Sequence, residues 1–240
     1  MRIHTFPTPL ALGQACGAQA AGLLAERLDS PGTARVMLAA APSQQHTLEA
    51  LRSADLDFSR IEFFHMDDYL GLPLAAPQAF GNWLERVLFS HVTPAAFHRI
   101  DPSRDPEAEA ARYSSVMGSD DFDLTLCGLG VNGHLAFNDP PADLEDPLPA
   151  RPVRMDEASR RQQLDEGHFA TLEDVPTDAI TVTIPRLLRA RHVLVSVPGA
   201  AKRQAVQDTL TEPVSGAHPG TALRLHPEVD LYLDSASDPR

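Results

Sequence analysis

Short apolar runs alternate with longer stretches of helical apolar spacing along most of this chain. Residues 35–41 form a continuous apolar run of the kind found in buried strands, whereas residues 9–28 carry Ala and Leu at helical spacing. Ser43 is the expected N-cap of the helix that follows the first run. The two patterns predict strands at 35–41, 60–65, 122–126, 179–184, 192–197 and 230–234, and helices at 9–28, 42–51, 80–91, 106–117, 185–190 and 200–210.

Strands that alternate with helices predict an α/β fold with three layers, in which a mostly parallel sheet is covered by helices on both faces in a Rossmann-like manner. No repeat, low-complexity tract or linker divides the chain, so we predict a single domain over residues 1–240. Residues 67–79 and 140–177 carry no clear period and are predicted as loops, the second with a short helix near 157–164. In such folds the ligand site lies at the carboxyl ends of the strands.

Composition narrows the class of protein. Apolar residues make up 43% of the chain, as in a protein with a sizeable core, and the net charge is −13. An acidic surface disfavours nucleic acids and anionic membranes as partners. No apolar run is long enough to span a bilayer, no signal-peptide pattern stands at the start, and Cys16 and Cys127 have no metal-site spacing. We therefore expect a cytoplasmic protein with free thiols, for which a homo-oligomer stays open.

Two predicted strands end in polar loops that could carry chemistry. The first continues as Phe63-Phe-His-Met-Asp-Asp-Tyr, and the second as Cys127-Gly-Leu-Gly-Val-Asn-Gly-His-Leu-Ala-Phe-Asn-Asp-Pro. Glycines let the second loop bend sharply and approach a ligand closely. His134 is the natural acid/base group of that loop, because an imidazole exchanges protons near neutral pH.

The glycines of the second loop also match the dinucleotide-binding pattern Gly-x-Gly-x-x-Gly. That pattern needs a helix N-terminus directly after the third glycine, to hold a pyrophosphate. Here Pro140 and Pro141 follow shortly after Gly133 and favour a loop instead. We therefore expect no nicotinamide or flavin cofactor.

A metal site is a second alternative, because His65, Asp67, Asp68 and His134 are all potential ligands. Their spacing matches no standard metal motif, and a packed histidine at a strand end is the simpler interpretation of His65. Asp67 and Asp68 could form a solvated acidic turn. They could also be enclosed, since apolar residues flank them, and a desolvated carboxylate has a raised pKa and makes a useful base. We expect no bound metal.

The two loops together resemble the glucosamine-6-phosphate deaminases. Phe64-His-Met-Asp-Asp-Tyr-Leu-Gly-Leu-Pro73 and Gly128-Leu-Gly-Val-Asn-Gly-His-Leu-Ala-Phe-Asn-Asp-Pro140 are similar to that family's two long motifs and occur in the same order. Residues 179–183 and 197–202 also fit. The related 6-phosphogluconolactonases share the Gly-His segment but continue with a Ser-Leu-Phe type of sequence, where this chain has Phe137-Asn-Asp.

The resemblance implies conversion of glucosamine 6-phosphate and water to fructose 6-phosphate and ammonia, without a metal or cofactor. By the same resemblance, His134 opens the sugar ring, Asp67 moves the proton between C2 and C1, and Asn132 and Asp139 orient His134. The resemblance also implies that Asp68 lies behind these residues and supports them without contacting the substrate. Lys202, the only lysine of the chain, matches the family's phosphate lysine. Further candidates for contacts to substrate or phosphate are Ser43, Gln44, Gly130 and Arg224.

The sequence departs from the family's pattern at three places. One is the acid that orients His134, and the other two are expected to bind the phosphate of the substrate. Asp139 stands where the family usually has Glu, and residues 41–45 read Ala-Pro-Ser-Gln-Gln in place of a glycine-rich loop. The family's phosphate arginine has no secure match, although Arg160 and Arg161 lie nearby. A sugar-phosphate lactonase and a non-catalytic sugar-phosphate-binding module therefore remain alternative functions.

Overall fold

A seven-stranded parallel sheet forms the centre of the protein in a computed structural model that describes residues 1–240. The strand order is β1-β10-β9-β6-β2-β3-β5, and every neighbouring pair is parallel. The strands are β1 (Arg2–Phe6), β2 (Ala34–Leu38), β3 (Ile61–His65), β4 (Asp67–Tyr69), β5 (Ala96–His98), β6 (Phe122–Cys127), β7 (Ala150–Arg154), β8 (Asp178–Val182), β9 (Ala190–Val197) and β10 (Val229–Asp234).

Seven α-helices connect these strands. They are α1 (Pro9–Leu28), α2 (Gln45–Arg52), α3 (Phe80–Leu84), α4 (Pro106–Met117), α5 (Glu157–Asp165), α6 (Ile184–Leu187) and α7 (Arg203–Thr211). A π-helical turn, Glu85–Phe89, continues α3, and 3-10 turns form at Pro42–Gln44, Phe58–Arg60, Ala200–Lys202 and Pro219–Leu225. None of the helices combines the length and apolar character needed to cross a membrane.

Each face of the sheet has its own apolar core, as the continuous apolar runs predict. Successive strand residues point to opposite faces. Val36 and Leu38 of β2 pack in the same cluster as Leu24 of α1, whereas Met37 packs with Tyr113 of α4 on the other side. Helices therefore cover both faces, and the predicted three-layer α/β fold is confirmed.

A second, three-stranded antiparallel sheet of β4, β8 and β7 corrects part of the prediction. β4 occupies the start of the predicted loop 67–79, and β8 was expected in the parallel sheet. β4 spans only three residues, and β7 includes Pro152 and two arginines, so neither shows the apolar run of a buried strand. The edge strands β1 and β5 escaped prediction because their residues are mostly partly exposed.

The prediction that Ser43 caps a helix is wrong. The segment first forms the 3-10 turn Pro42–Gln44, and no side chain caps either this turn or α2. By contrast, α1 is capped by Thr8, whose hydroxyl accepts from the backbone N–H of Ala11 at 3.2 Å. Ser43 instead lines the cleft described next, and its hydroxyl accepts the Gln44 side-chain amide at 3.2 Å.

Candidate active site

A cleft opens at the carboxyl ends of β2, β3 and β6, where the sequence predicts the ligand site. Loops that leave these strands supply most of its wall, and α5 and the turn before α7 complete it. The lining residues are Ala39, Ala40, Ala41, Ser43, Gln44, Met66, Asp67, Phe80, Gly128, Leu129, Gly130, His134, Ala136, Phe137, Gln162, Gln163 and Lys202. Asp67 and His134, which come from the two predicted loops, therefore share one cavity.

Asp67 presents a buried carboxylate that has no hydrogen-bonding partner in the protein. Its backbone is fixed by the pairing of β4 with β8, in which Asp67 lies opposite Thr181. The side chain lines the cleft, and only 6% of the residue is exposed. Burial, reinforced by the neighbouring charge of Asp68, raises the pKa of Asp67 well above its ordinary value. A carboxylate in this state has a strong tendency to accept a proton.

Asp68 points away from the cleft and is fully buried. It accepts backbone N–H groups from Tyr69 and Phe80 at 2.9 Å each and from Gly81 at 3.0 Å. Burial raises its pKa to about 6, although these three amide hydrogen bonds act in the opposite direction. Asp68 thus ties the start of α3 to β4 and contributes a negative charge beside Asp67.

His134 is held on one side by Asp139 and Ser159. The Nδ1 atom lies 3.0 Å from Oδ1 of Asp139 and 2.8 Å from the hydroxyl oxygen of Ser159. Ser159 in turn donates to the same Asp139 oxygen. Asp139 therefore reaches His134 directly despite being one methylene shorter than the family's glutamate, and Ser159 bridges the two groups.

The face of the His134 ring lies against Gly130. A Cβ atom at this position would stand 2.3 Å from Nε2 of His134, a separation that side-chain carbons do not tolerate. Glycine is therefore required here for the ring to occupy its place. Gly130 lines the cleft, and its clearest structural role is to leave room for His134.

Asn132 and Asp139 belong to one hydrogen-bonding network behind His134. The Asn132 side chain accepts from the backbone N–H of His134 and donates to Asp139, both at 3.1 Å. Asp139 also accepts from the backbone N–H of Asp156 at 3.1 Å. Burial alone would raise the pKa of Asp139, but its hydrogen bond to His134, the charge of that ring and the bonds from Ser159 and Asp156 together lower it.

Ser159 is the main site residue that the sequence analysis missed. It lies in the first turn of α5, and its backbone N–H donates to Asp156, the N-cap, at 2.7 Å. The Asp-x-x-Ser spacing is a recognisable helix start. The sequence analysis placed a short helix here, near 157–164, but this spacing does not reveal that the serine side chain turns towards His134.

Lys202 supplies the only ammonium or guanidinium group in the cleft wall. It precedes α7, is 7% exposed, and its Nζ lies 3.8 Å from Oε1 of Glu166. Burial lowers the pKa of Lys202, while Glu166 acts to raise it. Ser43 and Gln44 also line the cleft, and the Gln44 amide donates to the Ser196 carbonyl at 3.1 Å.

The arginines considered for phosphate are occupied elsewhere. Arg224 does not line the cleft, and its guanidinium donates to the carbonyls of Leu210 and Glu212 at the end of α7, where cations are favoured. The prediction that Arg224 contacts substrate is therefore wrong. Arg160 likewise donates to the carbonyls of Leu172 and Val175.

His65 is a packed strand-end residue, as the simpler interpretation held. It is fully buried, and its Nε2 accepts the backbone N–H of Ile100 at 2.8 Å. Burial lowers its pKa to about 3, so the ring is neutral. Its side chain does not line the cleft that contains Asp67 and His134.

Comparison with known protein families relates this arrangement to enzymes of sugar phosphates. Residues 7–230 match the family model for glucosamine-6-phosphate isomerases/6-phosphogluconolactonase. The chain is similar to a glucosamine-6-phosphate deaminase of Streptococcus sanguinis (strain SK36), with 32% identity over 219 residues that cover 91% of each chain. It is also 32% identical over 194 residues, or 79% of each chain, to one of Halothermothrix orenii.

The fold is also similar to solved structures of a deaminase and a lactonase. A monomeric glucosamine-6-phosphate deaminase superimposes with a TM-score of 0.90 at 26% identity, covering 99% of this chain and 98% of that one. A 6-phosphogluconolactonase of Thermotoga maritima superimposes with a TM-score of 0.80 at 19% identity, covering 97% of this chain and 98% of the other. The second likeness concerns the fold alone.

Proposed function

The chain belongs to the glucosamine-6-phosphate isomerase/6-phosphogluconolactonase family, and we propose that it is a deaminase that converts glucosamine 6-phosphate and water to fructose 6-phosphate and ammonia. The observation that carries this proposal is the pairing of two groups in one cleft. Asp67 offers a buried carboxylate with no partner, and His134 offers an imidazole whose Nδ1 is fixed by Asp139 and Ser159.

In the first step, His134 opens the sugar ring. The imidazole takes the proton of the C1 hydroxyl and delivers it to the ring oxygen, which gives an open-chain aldehyde. Because Nδ1 is held by Asp139 and Ser159, the proton moves through Nε2, the other ring nitrogen. Asp139 stabilises the imidazolium form during this transfer, as the third group of a catalytic set does.

In the second step, Asp67 moves a proton from C2 to C1. The ionised carboxylate takes the C2 proton, a water molecule gives a proton to the C1 carbonyl oxygen, and an enolamine forms. Return of a proton to C1 leaves an imine at C2. Water then adds to C2 and ammonia departs, which leaves the ketone of fructose 6-phosphate. The raised pKa of Asp67 suits this role, because a carboxylate that binds protons tightly is a stronger base.

The phosphate would lie at the opposite end of the cleft, against Lys202. The Ser43 hydroxyl offers a neutral donor there, held by the Gln44 amide, in place of the glycine-rich loop that the family carries. We also propose that the protein works in the cytoplasm, where the buried free thiols of Cys16 and Cys127 would stay reduced.

The test is an assay of the purified protein with glucosamine 6-phosphate, in which ammonia and fructose 6-phosphate are measured separately. The proposal expects both products in equal amounts. A parallel assay with 6-phosphogluconolactone distinguishes the lactonase: lactone hydrolysis without ammonia release contradicts the proposal. Stabilisation by sugar phosphate with no product in either assay would indicate a binding module instead.

A further inference from the structure

Glu166 is a charged neighbour of the cleft whose presence no step of the proposed reaction explains. It directly follows α5, and its side chain is 19% exposed. Its Oε1 lies 3.8 Å from Nζ of Lys202 and accepts the side-chain amide of Gln162 at 2.8 Å. The carboxylate is thus anchored beside the only cation of the cleft wall.

The carboxylate of Glu166 is ionised in this setting. Burial acts to raise its pKa, but His168, the charge of Lys202 and the Gln162 amide together lower it. Its second oxygen, Oε2, is buried without a hydrogen bond and lies 3.7 Å from Nε2 of His168. Glu166 therefore offsets the charge of Lys202.

The position of Glu166 relative to the cleft decides its effect on a ligand. Lys202 and Gln162 line both the cleft and an adjoining cavity, and Glu166 lines the adjoining cavity only. A phosphate that contacts Lys202 from the cleft would come within about 7 Å of the Glu166 carboxylate. At that distance, two like-charged groups in a partly buried setting repel each other strongly enough to weaken binding about tenfold.

No other ammonium or guanidinium group lines the cleft beside Lys202. Arg160 and Arg224 donate to backbone carbonyls, and Arg161, which lines the adjoining cavity, is paired with Glu157. The remaining groups at this end are neutral, among them Ser43, Gln44 and the amides of α5. The end of the cleft beside Lys202 consequently has a net charge close to zero, whereas a phosphate dianion binds best where the net charge is positive.

We propose that Glu166 is a specificity-determining residue that lowers the preference of this enzyme for a phosphorylated aminosugar over the same sugar without phosphate. The inference rests on the proposed function for the identity of the substrate. It concerns the charge balance around Lys202 rather than the proton transfers at Asp67 and His134. Removing the charge of Glu166 should therefore change binding of the phosphate end and leave kcat unchanged.

The test compares Glu166→Gln with Glu157→Gln, which removes the same charge from the exposed start of the same helix. The glutamine at 166 can still accept from Gln162, so the fold is preserved, and thermal unfolding of each variant checks this. Two quantities are measured: the dissociation constant for inorganic phosphate by calorimetry, and the ratio of kcat/KM for glucosamine 6-phosphate over glucosamine. We expect Glu166→Gln to tighten phosphate binding and to raise the ratio, each about tenfold, and Glu157→Gln to change neither by more than about twofold.

Weaker or unchanged phosphate binding in Glu166→Gln would overturn the inference, because Glu166 would then only hold Lys202 in place. An equal gain in Glu157→Gln would overturn it as well, since the effect would be one of net charge. Phosphate binding needs no turnover. A protein without deaminase activity would therefore fail the ammonia assay and still give a readable phosphate comparison.

Discussion

The two ends of the cleft differ in how completely their polar groups are held by neighbours. At the His134 end, Nδ1, Asn132, Asp139 and Ser159 are joined by hydrogen bonds, and the network continues to the backbone of Asp156. At the Lys202 end, the ammonium has one ionic neighbour, 3.8 Å away. Proton transfer requires fixed geometry, whereas attraction of an anion tolerates several arrangements. If the proposed function holds, this difference explains how the residues around Lys202 can depart from the family's pattern while those around His134 follow it.

Asp67 is the exception at the catalytic end, because its carboxylate has no partner. A hydrogen-bonded carboxylate is stabilised in its ionised form and becomes a weaker base. Asp68, its neighbour in the chain, instead accepts hydrogen bonds from three backbone amides. The two adjacent carboxylates therefore differ in whether they are hydrogen-bonded. One acid anchors the loop, and the other is left free for chemistry.

The largest expected effect is that of Asp67→Asn. The amide cannot accept the C2 proton, so kcat should fall by about three orders of magnitude, within the range that general bases contribute. Binding of fructose 6-phosphate should stay within a few fold, because the substitution conserves volume. Assays of ammonia release measure kcat, and calorimetry measures the binding of fructose 6-phosphate. A variant that retains most of its kcat would remove Asp67 from the mechanism.

A pair of alanine substitutions distinguishes the two ends directly. In Gly130→Ala, the new Cβ would stand 2.3 Å from the His134 ring, so the imidazole must move and kcat should fall about a hundredfold. In Gly128→Ala, the new Cβ would stand 2.8 Å from the end of the Gln44 side chain, which can shift. That variant should mainly raise KM, by several fold. Equal losses of kcat in both variants would contradict the division of the cleft.

Lys202→Met should act on binding alone. Loss of a charge-assisted contact costs about 1.5–3 kcal/mol, which corresponds to a rise in KM of about tenfold to a hundredfold. The value of kcat should stay within about threefold of the unaltered enzyme, because Lys202 takes no part in proton transfer. Steady-state kinetics with glucosamine 6-phosphate measures both parameters, and a selective loss of kcat would refute this role.

The smallest expected effect concerns pH. Asp67 must be ionised to act as a base, and its raised pKa means that kcat/KM falls as the pH drops through that raised value. The charge of Asp68 contributes to the raised pKa, so Asp68→Asn should lower it and move the acid side of the pH profile to lower pH. A profile that is unmoved, or that moves to higher pH, would show that Asp68 does not influence Asp67 through its charge.

The sequence allowed more to be predicted at the catalytic end than at the binding end. Asp67, Asn132, His134 and Asp139 lie in two continuous motifs at strand ends, and parallel strands bring their carboxyl ends to one edge of the sheet. Ser159 reaches His134, and Glu166 reaches Lys202, only because α5 docks beside the cleft. Their segment of the chain has no apolar period that would predict this docking.

Arg224 and the small antiparallel sheet show two further limits. A single arginine near the end of a chain looks the same whether it meets a phosphate or the carbonyls at a helix end, as Arg224 does. β8 has the apolar run of a buried parallel strand, yet it pairs with two short strands whose own sequences predict loops. The apolar pattern of a segment predicts that it forms a strand, but the sheet that the strand joins depends on its tertiary contacts.

The most direct test of the account is a crystal structure of the Asp67→Asn variant with glucosamine 6-phosphate. The account predicts one hexose between residue 67 and His134, with the C2 hydrogen directed at the side chain of residue 67. It also predicts the ring oxygen, or the C1 oxygen of the open form, within about 3 Å of Nε2 of His134. A sugar that contacts only one of these two side chains, or that turns C2 away from residue 67, would contradict it.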